Sequence, residues 1–197
     1  MSGPFKVIDG LRLPAAQRKL LCPGAPRIDA RGRTHLLPRF FYEIATWQFA
    51  KENRLGPDFT LAELMNVDCR EAGLLLHTFP HYLPCAAAIL ARYLQALRNK
   101  VGAPIYIATN GGYRSPAHAH SHHATPHLWG AAANIYRIGD TWLNDRGGIE
   151  KFGRIAESIG PGVNVKPYGH GPHETDDHLH LDIGYVTCVP RDCDEAR

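Results

Sequence analysis

The strongest hydrophobic period in the chain runs from Ala86 through Ile89, Leu90, Tyr93, Leu94 and Leu97 to Val101, with apolar residues recurring every three or four positions. This spacing predicts a helix that opens near Pro84 and stops at Gly102 and Pro104. Upstream, Thr60 with Glu63 three residues later reads as a capping box at the head of a short helix, TLAEL. Downstream, Ile105 to Thr109 alternates as a strand does, and Ala131 to Ile138 predicts a second strand. Between them, Asn110 to Pro126 is rich in Gly, Pro, Ser and His and reads as a loop. Ile149, Phe152, Ile155 and Ile159 share one face of a helix over 148–159, and strands are expected at 163–166 and 178–186. Residues 1–57 have many prolines and arginines and little clear period, although Phe41, Ile44, Ala45, Trp47 and Phe49 suggest one helix over 40–53. This region reads as an extension packed on the main domain, carrying no visible chemistry. Helices before and between a few short strands predict an α+β domain over 58–190, with a small antiparallel sheet covered by helices on one side and a tail over 191–197.

The last strand contains the sharpest pattern, DDHLHLDIGYV. With side chains alternating faces, Leu179, Leu181 and Ile183 point to the core, and His178, His180 and Asp182 point the other way. Two imidazoles and a carboxylate on one face of a buried strand are costly unless something satisfies them, and a divalent metal would. In the 131–138 strand, Ala132, Asn134 and Tyr136 share a face, and His127 sits just before it. Of the twelve histidines, seven lie within 118–127 or 178–180, a density that points to metal chemistry.

Composition narrows the rest. A chain of 197 residues with 44% hydrophobic content can bury a core as one domain plus an extension. The formal net charge of +3, without Lys/Arg runs, gives no reason to expect a nucleic-acid partner. No apolar run approaches the ~20 residues of a membrane span. The first residues lack the basic and apolar regions of a signal peptide, so the chain is expected to be cytoplasmic as synthesised, unless lysis or another export route moves it. The five cysteines form no CxxC pair and read as buried or free thiols, with Cys188 and Cys193 the closest pair in sequence.

Three segments, GYRSPAH, TPHLWGAAAN and DDHLHLD, taken in that order, resemble the signature of the D-Ala-D-Ala carboxypeptidase group of zinc peptidases, whose fold is shared with the Hedgehog signalling domain. FTLAELM and LQALRNKVGAPIYIATNGGYRSP are similar to that family's N-terminal helices and first strand, so the resemblance spans about residues 59–187. It implies His127 and His180 as zinc ligands. Asn134 stands where the family has a ligating Asp, and Thr125 where it has a serine. The resemblance also implies Asp177, three residues before His180, as the acid/base carboxylate, and Arg114 as an arginine that binds substrate or transition-state charge.

The chemistry is coherent in its own right. Two imidazoles and an oxygen donor leave a fourth position on zinc for water, a nearby carboxylate moves the proton, and a guanidinium fork suits a peptide carboxylate. The leading expectation is a zinc peptidase acting on peptidoglycan stem peptides or other D-amino-acid-containing peptides, as a D,D-carboxypeptidase or an endopeptidase. The alternatives are a metal-binding or recognition domain without turnover, which Asn134 favours, and a phage structural or assembly module. His118, His120, His122 and His123 read as a solvated loop, His178 as a groove-lining residue, and Asp182 as a partner that orients a histidine. Tyr113, Trp129 and Tyr136 read as packing residues. Asp177 carries a tension, since strict alternation from His180 puts it on the opposite face, so a bend or bulge before the strand is expected.

Overall fold

A computed structural model describes residues 5–65 and 77–189. Cys69 and Cys193 lie outside these residues, and with Cys193 the pair that stands closest in sequence, Cys188 and Cys193. Among the described residues, Cys22, Cys85 and Cys188 form no disulfide with one another.

The main sheet has five antiparallel strands: β8 (Ile105–Ile107), β9 (Ala132–Ile138), β10 (Thr141–Trp142), β11 (Asn164–Val165) and β12 (Leu179–Asp182). Its central strand is β9. Ile138 pairs with Ile105 of β8 and with Thr141 of β10, so β8 lies along one edge of β9 and β10 along the other. β12 continues that second edge, with Leu179 opposite Ile135, His180 opposite Asn134 and Asp182 opposite Ala132.

Helix α4 (Ala87–Val101) buries Ala87, Leu90, Ala91, Leu94 and Leu97. It ends where Gly102 adopts φ +67, a left-handed turn that glycine makes without a Cβ penalty. α5 (Arg146–Glu157) starts on Asp145, whose Oδ1 accepts from Gly148 N at 2.7 Å, and buries Ile149, Phe152 and Ala156. These side chains share one core with Ala133, Ile135, Leu179 and Leu181, so helices cover one face of the sheet. The domain is therefore α+β. The short helix α3 (Leu61–Leu64) carries the expected capping box, with Thr60 N donating to Glu63 Oε2 at 2.7 Å.

The region 40–53 departs from the single helix that its apolar positions suggest. Phe40–Ile44 is a strand, β4, and only Trp47–Glu52 is helical (α2). β4 lies between β1 (Val7–Asp9) and β7 (His81–Pro84), in a three-stranded antiparallel sheet. The FFYEI sequence favours a pleated, half-buried strand, and a partner about forty residues downstream, which local periodicity does not reveal, secures it. Thr46 then caps α2 by accepting from Phe49 N at 3.0 Å. The first 57 residues are thus woven into the fold through β4 and β7. Within them, β2 (Pro26–Ile28) and β3 (Thr34–Leu36) form a hairpin, and β5 (Arg54–Gly56) pairs with β6 (Phe59–Thr60).

One glycine fastens the helical half to the loop before β9. A Cβ on Gly112 would stand 2.4 Å from the carbonyl oxygen of Leu64, at the end of α3. The next residue, Tyr113, donates its N–H to that oxygen at 2.8 Å. Gly112→Ala is expected to destabilise the chain by about 2 kcal/mol or more, because backbone must move to admit the methyl group. Urea denaturation measures this, and a loss under about 0.5 kcal/mol would contradict the packing described.

Candidate metal centre

The face of the sheet away from the helices forms the floor of a cleft of about 1140 Å³. Asn134, Tyr136, His180 and Asp182 contribute to this floor from β9 and β12. His127 approaches from a short 3-10 helix, Pro126–Trp129, that ends at Gly130 with φ +64 immediately before β9. His127, Asn134 and His180 are all buried. The structure therefore brings together the two histidines and the asparagine that the sequence singles out.

The two imidazole rings lie 5.1 Å apart, centroid to centroid, at an interplanar angle of 63°. Two imidazoles bound to one tetrahedral ion through zinc–nitrogen bonds of ~2.1 Å would have centroids about 5 Å apart. Each ring has one nitrogen anchored. His127 Nδ1 lies 2.8 Å from the carbonyl oxygen of Gly112 and donates to it, which leaves Nε2 as the lone-pair nitrogen. His180 Nε2 lies 3.1 Å from Asp182 Oδ2. Asp182 is held in turn by Gly184 N at 2.8 Å and Asn164 Nδ2 at 3.0 Å. This backing by a carbonyl and a carboxylate fixes tautomer and ring orientation in the way that metal-ligating histidines require.

The remaining nitrogen, His180 Nδ1, lies 2.9 Å from Asn134 Oδ1. A neutral imidazole has one N–H, and Asp182 takes it at Nε2. Nδ1 and the amide oxygen then present lone pairs to each other. Three arrangements relieve this: a protonated ring, an amide turned so that its NH₂ donates, or a cation between the two atoms. The first is opposed by burial, which lowers the pKa of His180, although the hydrogen bond to Asp182 works the other way. His127 is driven well below its ordinary value by burial, then by the charges of Arg114 and His180. Burial thus favours the neutral form of both rings, the form in which an imidazole can ligate a metal. The donor set fits a divalent metal as two imidazoles and one amide oxygen. Among the described residues, no group of three or more His, Cys, Asp or Glu side chains is placed to hold an ion.

Asp177 and His178 precede β12 in a bend where Thr175 Oγ1 donates to the His178 carbonyl at 2.9 Å. Leaving the strand here frees Asp177 from the alternation that would send it to the core face. Its side chain lines the cleft, 78% exposed, in a short contact with His178 Nδ1. Burial lowers the pKa of His178, and its hydrogen bond to Asp177 opposes the shift. Arg114 also lines the cleft, with its Nε donating to the carbonyl of Asn110 at 2.8 Å and its N–H to the carbonyl of His127 at 3.2 Å.

Several neighbours depart from the sequence expectation. His118 is buried rather than solvated, whereas His120, His122 and His123 are exposed as a solvated loop requires, with His120 and His123 at the edge of the cleft. Lys166 lines it too, with a pKa lowered by burial despite the nearby Asp182. The largest departure is in the segment read as free of chemistry, where Asp29, Arg31 and Arg33 form part of the cleft wall. Their signal was DARGR between two short segments, with Gly32 at φ +78 making a hairpin turn. Tyr113 and Trp129 are buried packing residues as expected, whereas Tyr136 borders the cleft.

The depressed histidine pKa values have a definite sign for stability. Above the ordinary value of 6.5, both folded and unfolded chains hold these rings neutral. Below it, the unfolded chain takes up protons that the folded chain refuses, so stability falls as pH drops from 6.5 toward the folded values. For chelator-treated protein, His127→Asn should flatten the stability profile between pH 6.5 and 5 by up to about 1.4 kcal/mol per pH unit. Denaturation at several pH values measures the slope, and equal slopes would contradict a neutral buried His127.

No protein-family model matches this chain, and neither does any curated protein or any solved structure.

Proposed function

We propose that this chain is a zinc-dependent peptidase on a Hedgehog/D-Ala-D-Ala-carboxypeptidase-like fold. It cleaves peptidoglycan stem peptides as a D,D-carboxypeptidase or endopeptidase. The observation that carries the metal is the facing pair His180 Nδ1 and Asn134 Oδ1, 2.9 Å apart, with the other nitrogen of His180 committed to Asp182. The peptide substrate rests on the resemblance of the three motifs. His127, Asn134 and His180 would hold the ion. Zinc bound there would polarise a carbonyl and acidify a water, which is the Lewis-acid part of peptide hydrolysis.

The chain's own residues supply the rest. Asp177 is a solvent-facing carboxylate at the cleft, suited to take a proton from the attacking water and to pass it to the departing amine. His178, through Nδ1, orients that carboxylate. Arg114 is anchored through Nε, and its terminal nitrogens suit the carboxylate of a peptide C-terminus. Asp182 holds His180 in the tautomer that exposes Nδ1.

One observation favours a second reading, a metal-binding recognition domain without turnover. The oxygen donor is a neutral amide, and Arg114 and Lys166 add positive charge to the same cleft. Both weaken the hold on a divalent cation. A more weakly neutralised ion, in turn, acidifies water more strongly, so chemistry survives wherever the metal stays.

The purified chain is expected to bind about one zinc, and His180→Ala to abolish binding; elemental analysis without zinc in the chain itself would remove both readings. Asp177→Asn should keep the metal and lower cleavage of sacculus fragments by about 10²-fold or more, read from product masses. Full turnover in that variant would move the role to Asp182, or to Glu174, whose carboxylate accepts from Gly171 N at 2.8 Å in the stretch before β12. Asn134→Asp should tighten zinc by about tenfold or more, since a carboxylate replaces a neutral donor. Unchanged affinity would place Asn134 outside the coordination sphere.

A further inference from the structure

The β2–β3 hairpin is built around a buried carboxylate with an unusually complete set of partners. Asp29 Oδ1 accepts from Arg31 N and Arg33 N, both at 2.9 Å. Asp29 Oδ2 meets Arg33 Nε at 3.1 Å and His35 Nε2 at 3.0 Å. The backbone closes the same loop, with Asp29 N donating to the Arg33 carbonyl and Gly32 N to the Asp29 carbonyl. The hairpin is also bolted to the rim of the metal centre. An Arg27 guanidinium nitrogen donates to the Ser121 carbonyl at 2.6 Å, Ala124 N to the Ile28 carbonyl at 2.9 Å, and Trp129 Nε1 to the Leu36 carbonyl at 3.0 Å. Tyr185 stacks on His35 at 3.7 Å and donates to the Ala124 carbonyl. The five-residue turn between the strands is therefore held rigidly at the cleft.

What that turn presents is Arg31. Its backbone N–H is consumed by Asp29, and its exposed side chain lines the cleft and makes no ion pair among the described residues. Arg33 differs, since its guanidinium is turned onto Asp29. The cleft carboxylates are mostly engaged as well, Asp29 with Arg33 and His35, Asp182 with His180, Asn164 and Gly184 N. Arg31 on the hairpin wall thus confronts an incoming ligand with a positive charge that no ion pair among the described residues takes up, and Lys166 lines the same cleft. An arginine carried on a rigidly held turn at the wall of a groove can recognise a planar anion, and a carboxylate matches its fork.

We propose that Arg31 forms a subsite for a side-chain carboxylate of the bound peptide, so that the N-terminal hairpin makes the cleft selective for acidic peptides. The proposal rests on the peptidase reading for the peptide class, but it is separable from hydrolysis. The probes are tetrapeptides ending in D-Ala-D-Ala, with Glu or its neutral counterpart Gln at the first or the second position. Calorimetric Kd values on the full chain, with product masses followed in the same samples, give both readouts.

At one of the two positions the Glu peptide should bind about tenfold tighter than the Gln peptide. Arg31→Gln should reduce that preference to less than about twofold and leave the affinity for the Gln peptide unchanged. Arg31→Lys, which restores charge without the fork, should recover part of it. The idea is overturned if neither position shows a preference, if Arg31→Gln leaves the preference intact, or if no peptide binds. Cleavage without a Glu preference removes this inference and leaves the peptidase reading. A Glu preference erased by Arg31→Gln, without cleavage, does the reverse.

Discussion

The register of β12 against β9 is the contact on which the rest of the site depends. It places His180 opposite Asn134, and it does so with a buried imidazole on one face and Leu179 and Leu181 on the other. A slip of one residue would drive His180 into the helix-covered core and turn leucines into the cleft. The helices α4 and α5 enforce the register by demanding apolar side chains on their side of the sheet. The polar arrangement on the far face is thus a by-product of good packing on the near one, and its precision comes from a hydrophobic core rather than from the polar groups themselves.

Electrostatically the site is poor in negative charge. Asp182, a half-buried carboxylate, acts through a ring, on the far nitrogen of His180. Arg114 and Lys166 both depress the pKa of His127. Such a pocket suits a neutral imidazole pair and an anionic guest. It gives a cation little beyond the lone pairs of its ligands. This trade separates the two functional readings, because the same surplus charge that weakens a metal also attracts a carboxylate-bearing substrate.

The sequence revealed those parts of the molecule whose signal is local. The helix over 87–101 and the capping box at Thr60 follow from spacing within a few turns. The facing of Asn134 and His180 follows from alternation along two strands of sufficient length. The 40–44 strand was hidden because FFYEI satisfies a helical face and a pleated one equally, and only pairing with residues 81–84 decides. The hairpin wall was hidden for a related reason. Strands of three residues carry no period, and the partners that give Asp29, Arg31 and Arg33 their meaning lie on distant loops. The bend that brings Asp177 into the cleft could be expected from the Gly- and Pro-rich stretch before β12, but not where it would point.

The fasteners of the hairpin join residues 94 and 93 positions apart, Arg27 to Ser121 and Trp129 to Leu36. Tyr185 closes a further span of 61 residues onto Ala124. Closing loops of this length costs chain entropy before any contact repays it, and mixed folds dominated by such closures form slowly. The cleft wall therefore belongs to the late stages of folding. While a ribosome is still making the chain, the hairpin has nothing to dock on until the segment around residue 124 emerges, and the two histidines cannot meet until β12 does. Until then the histidine-rich loop has neither the hairpin nor β12 packed beside it.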